Sequence, residues 1–232
     1  MGRMSRTESV ATDAGEGRIT WFPGKKAWAV LALSHGAGGG IEARDLQALA
    51  GALPAEGVSV ALVEQPWRVA GKKVAPAPKT LDVGWRGIWP ALAEPGLPVI
   101  AGGRSAGARV ACRTGKELGA LAVLALSFPL HPPGKPEKSR ADELLGTGLP
   151  TLVLQGGNDS FGKPEEFPGI ERGRAQRVGA RVVVGDGWEY TLVEVPYGDH
   201  GFAVAKRAPV TPDETLGLIV REVSAWVASL RS

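Results

Sequence analysis

Residues 98–107 read PVIAGGRSAG, a short apolar run that ends in two glycines, an arginine and a serine. The run has the length of a buried strand, and the stretch from 106 to 118 places apolar residues at helical spacing. Ser105 therefore falls on a sharp strand-to-helix turn, within a G-x-S-x-G pattern. Such a turn exposes the hydroxyl and aims the positive end of the helix dipole at it, which predicts a nucleophile. A glycine-rich turn with an incidental serine is the alternative.

Outward from this turn, short apolar runs alternate with amphipathic stretches, as in a mainly parallel sheet with helices on both faces. Strands are predicted at 28–34, 58–63, 98–102, 120–127, 150–155 and 190–195. Helices are predicted at 42–53, 79–93, 106–118, 138–145 and 211–230, with partial helix at 165–181. No repeat or interdomain linker is visible, so we predict one doubly wound α/β domain over 19–232 that follows a flexible tail at 1–18.

The composition narrows the class of protein. Hydrophobic residues make up 44% and charged residues 22% of the 232 residues, as in a globular domain with a core. The 27 basic and 24 acidic residues give a net charge of +3 without the basic stripe that nucleic acid requires. The apolar runs are too short to cross a membrane, and residues 1–18 lack the apolar middle of a secretion signal. The single Cys112 excludes an internal disulfide and favours a cytoplasmic location.

A serine hydroxyl needs a base that takes its proton, and the base needs a carboxylate that orients it. Of the three histidines, His200 follows the last predicted strand and is the expected base. Asp159 follows the predicted strand TLVLQ, and it precedes His200 in the order Ser, Asp, His. Asp199 is a rival acid, but it adjoins His200, and neighbouring side chains in a loop seldom face one another. The predicted catalytic residues are therefore Ser105, Asp159 and His200.

Acyl transfer also requires backbone N–H groups that stabilise the oxyanion. The residue after the serine, Ala106, is expected to supply one. The glycine-rich loop HGAGGG at 35–40 is expected to supply the other from Ala37, with Gly38 as the less favoured alternative. Such a loop could also cradle a phosphate, but neither the G-x-G-x-x-G nor the Walker pattern is present.

Three further residues are candidates for substrate binding. Arg104 adjoins the serine and could meet a substrate carboxylate or pair with an acid of the protein itself. His35 and His131 each follow a predicted strand and could border the site, and for His131 a structural role is the favoured alternative. Only about twenty residues separate the strand that ends near Phe128 from the next strand, which is too short for a large lid. We expect an open, shallow site.

Four motifs together resemble the α/β hydrolases: HGAGGG at 35–40, GGRSAG at 102–107, LQGGNDSFG at 154–162 and GDHGF at 198–202. The stretch FPLHPPGKPE at 128–137 resembles a subgroup related to dienelactone hydrolases, which includes the hydrolase-like part of NSL complex subunit 3. The resemblance implies a Ser-Asp-His triad at Ser105, Asp159 and His200, with no metal and no organic cofactor. Dienelactone hydrolases use cysteine as the nucleophile, so their chemistry does not carry over to Ser105.

These observations predict a serine hydrolase of small carboxylic esters or thioesters, of class EC 3.1. Amidases share the same triad, so the leaving group is left open. Some members of the subgroup act as interaction modules, and a non-catalytic module that binds another protein is the alternative function. The expected partner is a small-molecule ester or thioester, with no nucleic acid and no membrane, and the chain is expected to be a monomer or homodimer.

Overall fold

The computed structural model describes residues 5–170, 175–178, 181–184 and 190–231. Within these ranges the strands are β1 Arg6–Thr12, β2 Gly15–Phe22, β3 Ala29–Ser34, β4 Val58–Glu64, β5 Val99–Arg104, β6 Ala122–Leu126, β7 Thr151–Gly156, β8 Ala175–Val178, β9 Arg181–Val184 and β10 Tyr190–Val195. The α-helices are α1 Arg44–Ala52, α2 Pro66–Val69, α3 Pro78–Ala93, α4 Ala106–Thr114, α5 Ala141–Leu145 and α6 Pro212–Ser229. Short 3-10 turns lie at Leu53–Glu56, Pro136–Lys138 and Pro164–Glu166.

The described strands form one sheet in the order β1-β2-β4-β3-β5-β6-β7-β10-β9-β8. The central strands from β4 to β10 run parallel, whereas β1, β2, β9 and β8 are antiparallel to their neighbours at the two edges. The carboxyl ends of parallel strands lie at one edge of a sheet. The loops that follow β3, β5, β7 and β10 therefore converge, and each carries one part of the candidate site.

Helices cover both faces of the sheet, which explains why the central strands read as continuous apolar runs. On β3, Val30 and Ala32 pack on the face covered by α3 and α4. Leu31 and Leu33 pack on the opposite face, with apolar residues of α1 and α6. All four side chains are fully buried. The predicted doubly wound α/β domain is confirmed, and its central strands and helices lie within a few residues of their predicted bounds.

The prediction of a flexible tail over 1–18 is wrong for the described residues from 6 onward. β1 and β2 form an antiparallel hairpin that pairs Arg6 with Trp21 at one end and Thr12 with Gly15 at the other. β2 also pairs with β4, and Ile19 and Trp21 bury their side chains. The polar sequence of β1 gave no local signal, because an edge strand exposes much of its side-chain surface and is fixed by its partner.

Two connections decide how the site is covered. Between β6 and β7 the chain contains only the turn Pro136–Lys138 and α5, so the expected absence of a large lid in this connection is confirmed. The partial helix predicted at 165–181 is wrong where the structure describes it: a 3-10 turn at Pro164–Glu166 is followed by β8 and β9. None of the helices in the described part of the chain has the length and apolar character needed to cross a membrane.

Candidate active site

Ser105 lies on the turn between β5 and α4 with φ 53° and ψ −109°. A residue other than glycine is strained by about 1–3 kcal/mol at these φ and ψ angles, so the packing around Ser105 must hold the backbone there. Two glycines make this possible: a Cβ on Gly103 would lie 2.6 Å from the carbonyl oxygen of Ser34, and a Cβ on Gly107 would lie 2.5 Å from the same oxygen. The N–H of Ser105 donates to the carbonyl of Leu126 at 2.9 Å. Tight packing of β3, β5 and α4 therefore fixes the strained turn.

Three side chains from three loops meet at this turn. Nε2 of His200 lies 2.8 Å from Oγ of Ser105, and Nδ1 of His200 lies 2.8 Å from Oδ2 of Asp159. When Nδ1–H donates to the carboxylate, Nε2 is free of a proton and can accept one from the hydroxyl. The structure thus brings together the three residues that the sequence predicts as the triad, in an arrangement that can activate a serine.

Asp159 is buried, and every oxygen of its carboxylate has a donor. Oδ2 accepts from Nε2 of Gln155 at 2.8 Å as well as from His200, and Oδ1 accepts from the N–H of Phe161 at 2.8 Å. Gln155 also donates to the carbonyl of Gly162 at 2.8 Å. A buried carboxylate requires such donors to offset its loss of hydration. The sequence analysis missed Gln155, whose only signal is a polar residue near the end of a buried strand.

The ring of His200 is also held by an aromatic contact that the sequence analysis missed. Phe161 stacks on it, with ring centroids 4.2 Å apart and planes at 30°. The rival acid Asp199 serves another purpose, because its Oδ1 accepts from the N–H groups of Gly201 at 2.7 Å and Ala203 at 2.9 Å. Asp199 therefore stabilises the turn that carries His200, and Asp159 is the acid that contacts the imidazole.

The glycine-rich loop passes directly beside the serine. A Cβ on Gly36 would lie 3.3 Å from Cβ of Ser105, so the loop backbone approaches the hydroxyl closely. Ala37 follows Gly36 and is exposed. Ala106 is the first residue of α4, where backbone N–H groups have no partner within the helix. Ala106 therefore adjoins Ser105, and Ala37 follows the loop residue that packs against it; their role as oxyanion donors stays a prediction.

His35 supports this loop from behind. Its ring is buried, Nε2 accepts from the N–H of Gln65 at 3.1 Å, and Nδ1 donates to the carbonyl of Gly36 at 2.8 Å. Burial lowers the pKa of His35 below its ordinary value, so the neutral imidazole is favoured. Trp67 packs edge-on against the ring at 5.5 Å between centroids. Both ring nitrogens contact the backbone, so His35 supports the glycine-rich loop, and its predicted role in substrate binding stays a prediction.

The sequence left open whether Arg104 meets a substrate carboxylate or an acid of the protein itself. In the structure it lies beside an acid of the protein. Its Nε lies 3.5 Å from Oδ2 of Asp45, which is buried in the first turn of α1. Its Nη2 donates to the carbonyl oxygen of His200 at 3.1 Å. The guanidinium therefore joins α1, the serine turn and the loop that carries the base.

His131 lies in the loop after β6 and is largely buried. Its Nδ1 donates to the carbonyl of Pro132 at 2.9 Å, and its Nε2 lies 3.4 Å from Oε2 of Glu166. Its backbone N–H donates to the carbonyl of Phe161 at 3.0 Å. His131 thus contacts the loop that carries Asp159, and its predicted role in substrate binding stays a prediction.

Two cavities lie near the glycine-rich loop or the elements that pack behind it. A cleft of about 180 Å³ opens between the β1–β2 turn, α2 and the start of α3, and Ser105, Asp159 and His200 are not among its lining residues. A smaller cavity of about 10 Å³ lies behind the glycine-rich loop and is bordered by His35, Gly36 and Ala106. In the part of the chain that the structure describes, no group of three His, Cys, Asp or Glu side chains is arranged to hold a metal ion.

Comparison with known proteins agrees with the fold described above. Residues 27–228 match the sequence profile of a family described as "Alpha/beta hydrolase domain". No curated protein matches the chain at a significant level.

Several solved structures are similar over nearly the whole chain. A Xanthomonas campestris protein, described as an α/β serine hydrolase without lid, has a TM-score of 0.68 and 16% identity, over 97% of this chain and 96% of that one. Est1E from Butyrivibrio proteoclasticus has a TM-score of 0.69 and 14% identity, over 99% of both chains. Dienelactone hydrolase from Anabaena variabilis has a TM-score of 0.68 and 16% identity, also over 99% of both. At these identities the similarity is one of fold.

Proposed function

Because the chain belongs to the alpha/beta hydrolase domain family, we propose that it is a serine hydrolase of small carboxylic esters or thioesters. The observation that carries the proposal is the hydrogen-bonded chain from Ser105 Oγ through His200 to Asp159, with both distances at 2.8 Å. Ser105, at one end of these hydrogen bonds, lies on a strained turn with φ 53°. Family resemblance alone would not supply that geometry.

In the proposed mechanism, Oγ of Ser105 attacks the acyl carbon while Nε2 of His200 takes the hydroxyl proton. Asp159 accepts from Nδ1–H and stabilises the imidazolium that forms. The negative charge on the former carbonyl oxygen is stabilised by the N–H groups of Ala37 and Ala106, and one such donor contributes about 10²- to 10³-fold to the rate.

The tetrahedral intermediate collapses when the bond to the leaving group breaks. His200 then gives its proton to the departing alkoxide or thiolate, which leaves an acyl ester on Ser105. A water molecule next gives its proton to His200 and attacks the acyl carbon. The carboxylic acid is released as the proton returns to Oγ, which restores the starting state of Ser105.

Small and accessible acyl groups fit the surroundings of the serine best. Ser105 is half-buried, and the connection between β6 and β7 contributes no lid. In front of the loop, a Cβ on Gly38 or Gly39 would meet no heavy atom within 4 Å. Among the similar structures, the Xanthomonas campestris protein is described as a serine hydrolase without lid, which supports an open site. We also propose that the chain is related to dienelactone hydrolases, because FPLHPPGKPE at 128–137 resembles that subgroup and a dienelactone hydrolase is among the similar structures.

The test compares hydrolysis of p-nitrophenyl acetate by the wild-type protein, Ser105→Ala and the control Ser139→Ala, which changes an exposed serine in another loop. Ser105→Ala should lower kcat by at least about 10⁴-fold because the nucleophile is lost, and Ser139→Ala should keep the wild-type kcat. A fluorophosphonate probe should label the wild type and Ser139→Ala but not Ser105→Ala. A palmitoyl ester and a short acyl thioester, run in parallel, define the acyl size and the leaving group.

Equal turnover by the wild type and Ser105→Ala would rule out the proposed mechanism. If the wild type neither hydrolyses any of these substrates nor reacts with the probe, the alternative of a non-catalytic module that binds another protein takes its place.

A further inference from the structure

Arg104 joins the nucleophile turn to the loop of His200 and to helix α1. It is the last residue of β5, so its backbone is continuous with the nucleophile turn. Its Nη2 donates to the carbonyl oxygen of His200 at 3.1 Å, and its Nε lies 3.5 Å from Oδ2 of Asp45. One side chain therefore contacts the loop of the base and the helix that follows the glycine-rich loop.

The loop that carries His200 is held by contacts with residues outside it: the N–H of Asn158 donates to the carbonyl of Gly198 at 2.8 Å, and Arg104 contacts the carbonyl of His200 itself. The chain from the end of β10 to the start of α6 contains neither strand nor α-helix. Asp199 closes a local turn around Gly201 and Ala203, but those bonds lie within the loop itself. The bond from Arg104 links the carbonyl of His200 to the strand that carries Ser105.

Asp45 explains why the guanidinium stays in place. Its side chain is only 3% exposed, and that of Arg104 is 18% exposed, so water competes weakly for either charge. Burial raises the pKa of the Asp45 carboxyl above its ordinary value, and the Arg104 cation opposes that rise. The loop of His200 also packs closely on the guanidinium, because a Cβ on Gly201 would lie 3.1 Å from Nη2 of Arg104. The guanidinium is thus enclosed between α1 and the loop.

We propose that Arg104 is a positioning residue, held by Asp45, that keeps the imidazole of His200 at proton-transfer distance from Ser105. The proposal rests on the proposed serine hydrolase function. Proton transfer and nucleophilic attack depend steeply on geometry, and a displacement of about 1 Å can cost about 10²-fold in rate. Removal of the contact should therefore act on kcat, because the substrate itself meets Ser105 and the oxyanion donors.

The variants are Arg104→Gln, Arg104→Lys and Asp45→Asn, with Arg109→Gln as the matched control. Arg109 lies on the next helix, α4, has a side chain that is 19% exposed, and pairs with Glu143 away from the loop of His200. Each variant is measured for kcat, KM and thermal unfolding with a short activated ester. Arg104→Gln should lower kcat about tenfold to hundredfold and leave KM within about twofold. Asp45→Asn should fall between Arg104→Gln and the wild type.

The control separates positioning from stability. Arg109→Gln should lower the unfolding temperature and retain wild-type kcat. Arg104→Lys keeps a cation near Asp45 with a single charged group, so it should recover only part of the activity, and it carries the test if Arg104→Gln fails to fold. Unchanged kcat in both Arg104 variants would overturn the proposal. A raised KM with unchanged kcat would also overturn it, since Arg104 would then contact the substrate.

A second readout does not depend on turnover. The proton shared by Nδ1 of His200 and Asp159 should give a downfield proton resonance in NMR spectra, identified by its loss in His200→Ala. The resonance should persist in the wild type and Arg109→Gln, and it should broaden or disappear in Arg104→Gln. If it remains sharp in Arg104→Gln, the proposal fails, even for a protein that proves inactive toward every ester.

Discussion

Phe161 holds two residues of the candidate triad by two different means. Its ring stacks on His200 with centroids 4.2 Å apart, and its backbone N–H donates to Oδ1 of Asp159 at 2.8 Å. The backbone bond is independent of the side chain, whereas the stacking requires the ring. A substitution at this position can therefore separate the orientation of the acid from that of the base.

Phe161→Ala should lower kcat about twofold to tenfold, because aromatic stacking contributes about 0.5–1.5 kcal/mol. Phe161→Tyr keeps the ring and serves as the control with near wild-type kcat. Steady-state hydrolysis of a short activated ester measures both. A wild-type kcat in Phe161→Ala would show that the hydrogen bonds to Asp159 and Ser105 alone orient His200.

Acid should destabilise the fold through His35. Burial lowers the pKa of His35 in the folded protein below the ordinary value of 6.5, so the unfolded chain binds a proton more readily. The contribution of His35 is therefore complete above pH 6.5 and is lost as pH falls from there through the lowered pKa of the folded state. The loss approaches about 1.4 kcal/mol per pH unit within that window.

Urea unfolding of the wild type and His35→Gln between pH 5 and pH 8 measures this effect. The difference in unfolding free energy between the two proteins should shrink toward pH 5, while groups that both proteins share cancel. A difference that is constant across this range would mean that His35 is protonated to the same extent in the folded and unfolded states.

Gly103→Ala and Gly107→Ala should each destabilise the protein by at least about 1–3 kcal/mol and abolish activity. A Cβ at either position would lie within 2.6 Å of the carbonyl oxygen of Ser34, and a backbone atom cannot move aside as a flexible side chain can. Gly51→Ala is the control, because a Cβ on this helical glycine meets nothing within 4 Å. It should stabilise the protein by up to about 1 kcal/mol. Chemical unfolding tests all three, and a neutral Gly103→Ala would mean that β3 and β5 separate readily.

Cys112 should be inert to thiol reagents in the folded protein. The side chain is buried, and this burial raises the pKa of Cys112 to about 12, so almost no thiolate exists near neutral pH. A thiol-reactive chromogen at pH 8 should react only after denaturant is added, and iodoacetamide should leave ester hydrolysis unchanged. Rapid modification of the native thiol, with loss of activity, would point to a nucleophile other than Ser105.

The sequence by itself determined the features that depend on local patterns. Alternating apolar and amphipathic segments predicted the central strands and most helices, because burial on both faces of a sheet requires continuous apolar runs. The glycines around Ser105 predicted its turn, since the close approach to β3 leaves no room for a Cβ. The order of Ser105, Asp159 and His200, each after a predicted strand, was enough to select the three residues that the structure brings together.

Only the tertiary structure decided the features that depend on partners far away in the chain. The hairpin of β1 and β2 gave no local signal, because its polar outer strand is stabilised by pairing at the edge of the sheet. The sequence left open whether Arg104 meets a substrate or an acid of the protein. Its contacts with Asp45 and His200 exist only once α1, β5 and the loop after β10 are packed together. Periodicity reports which way a side chain faces on its own element, but the groups that it meets are decided by how the elements pack.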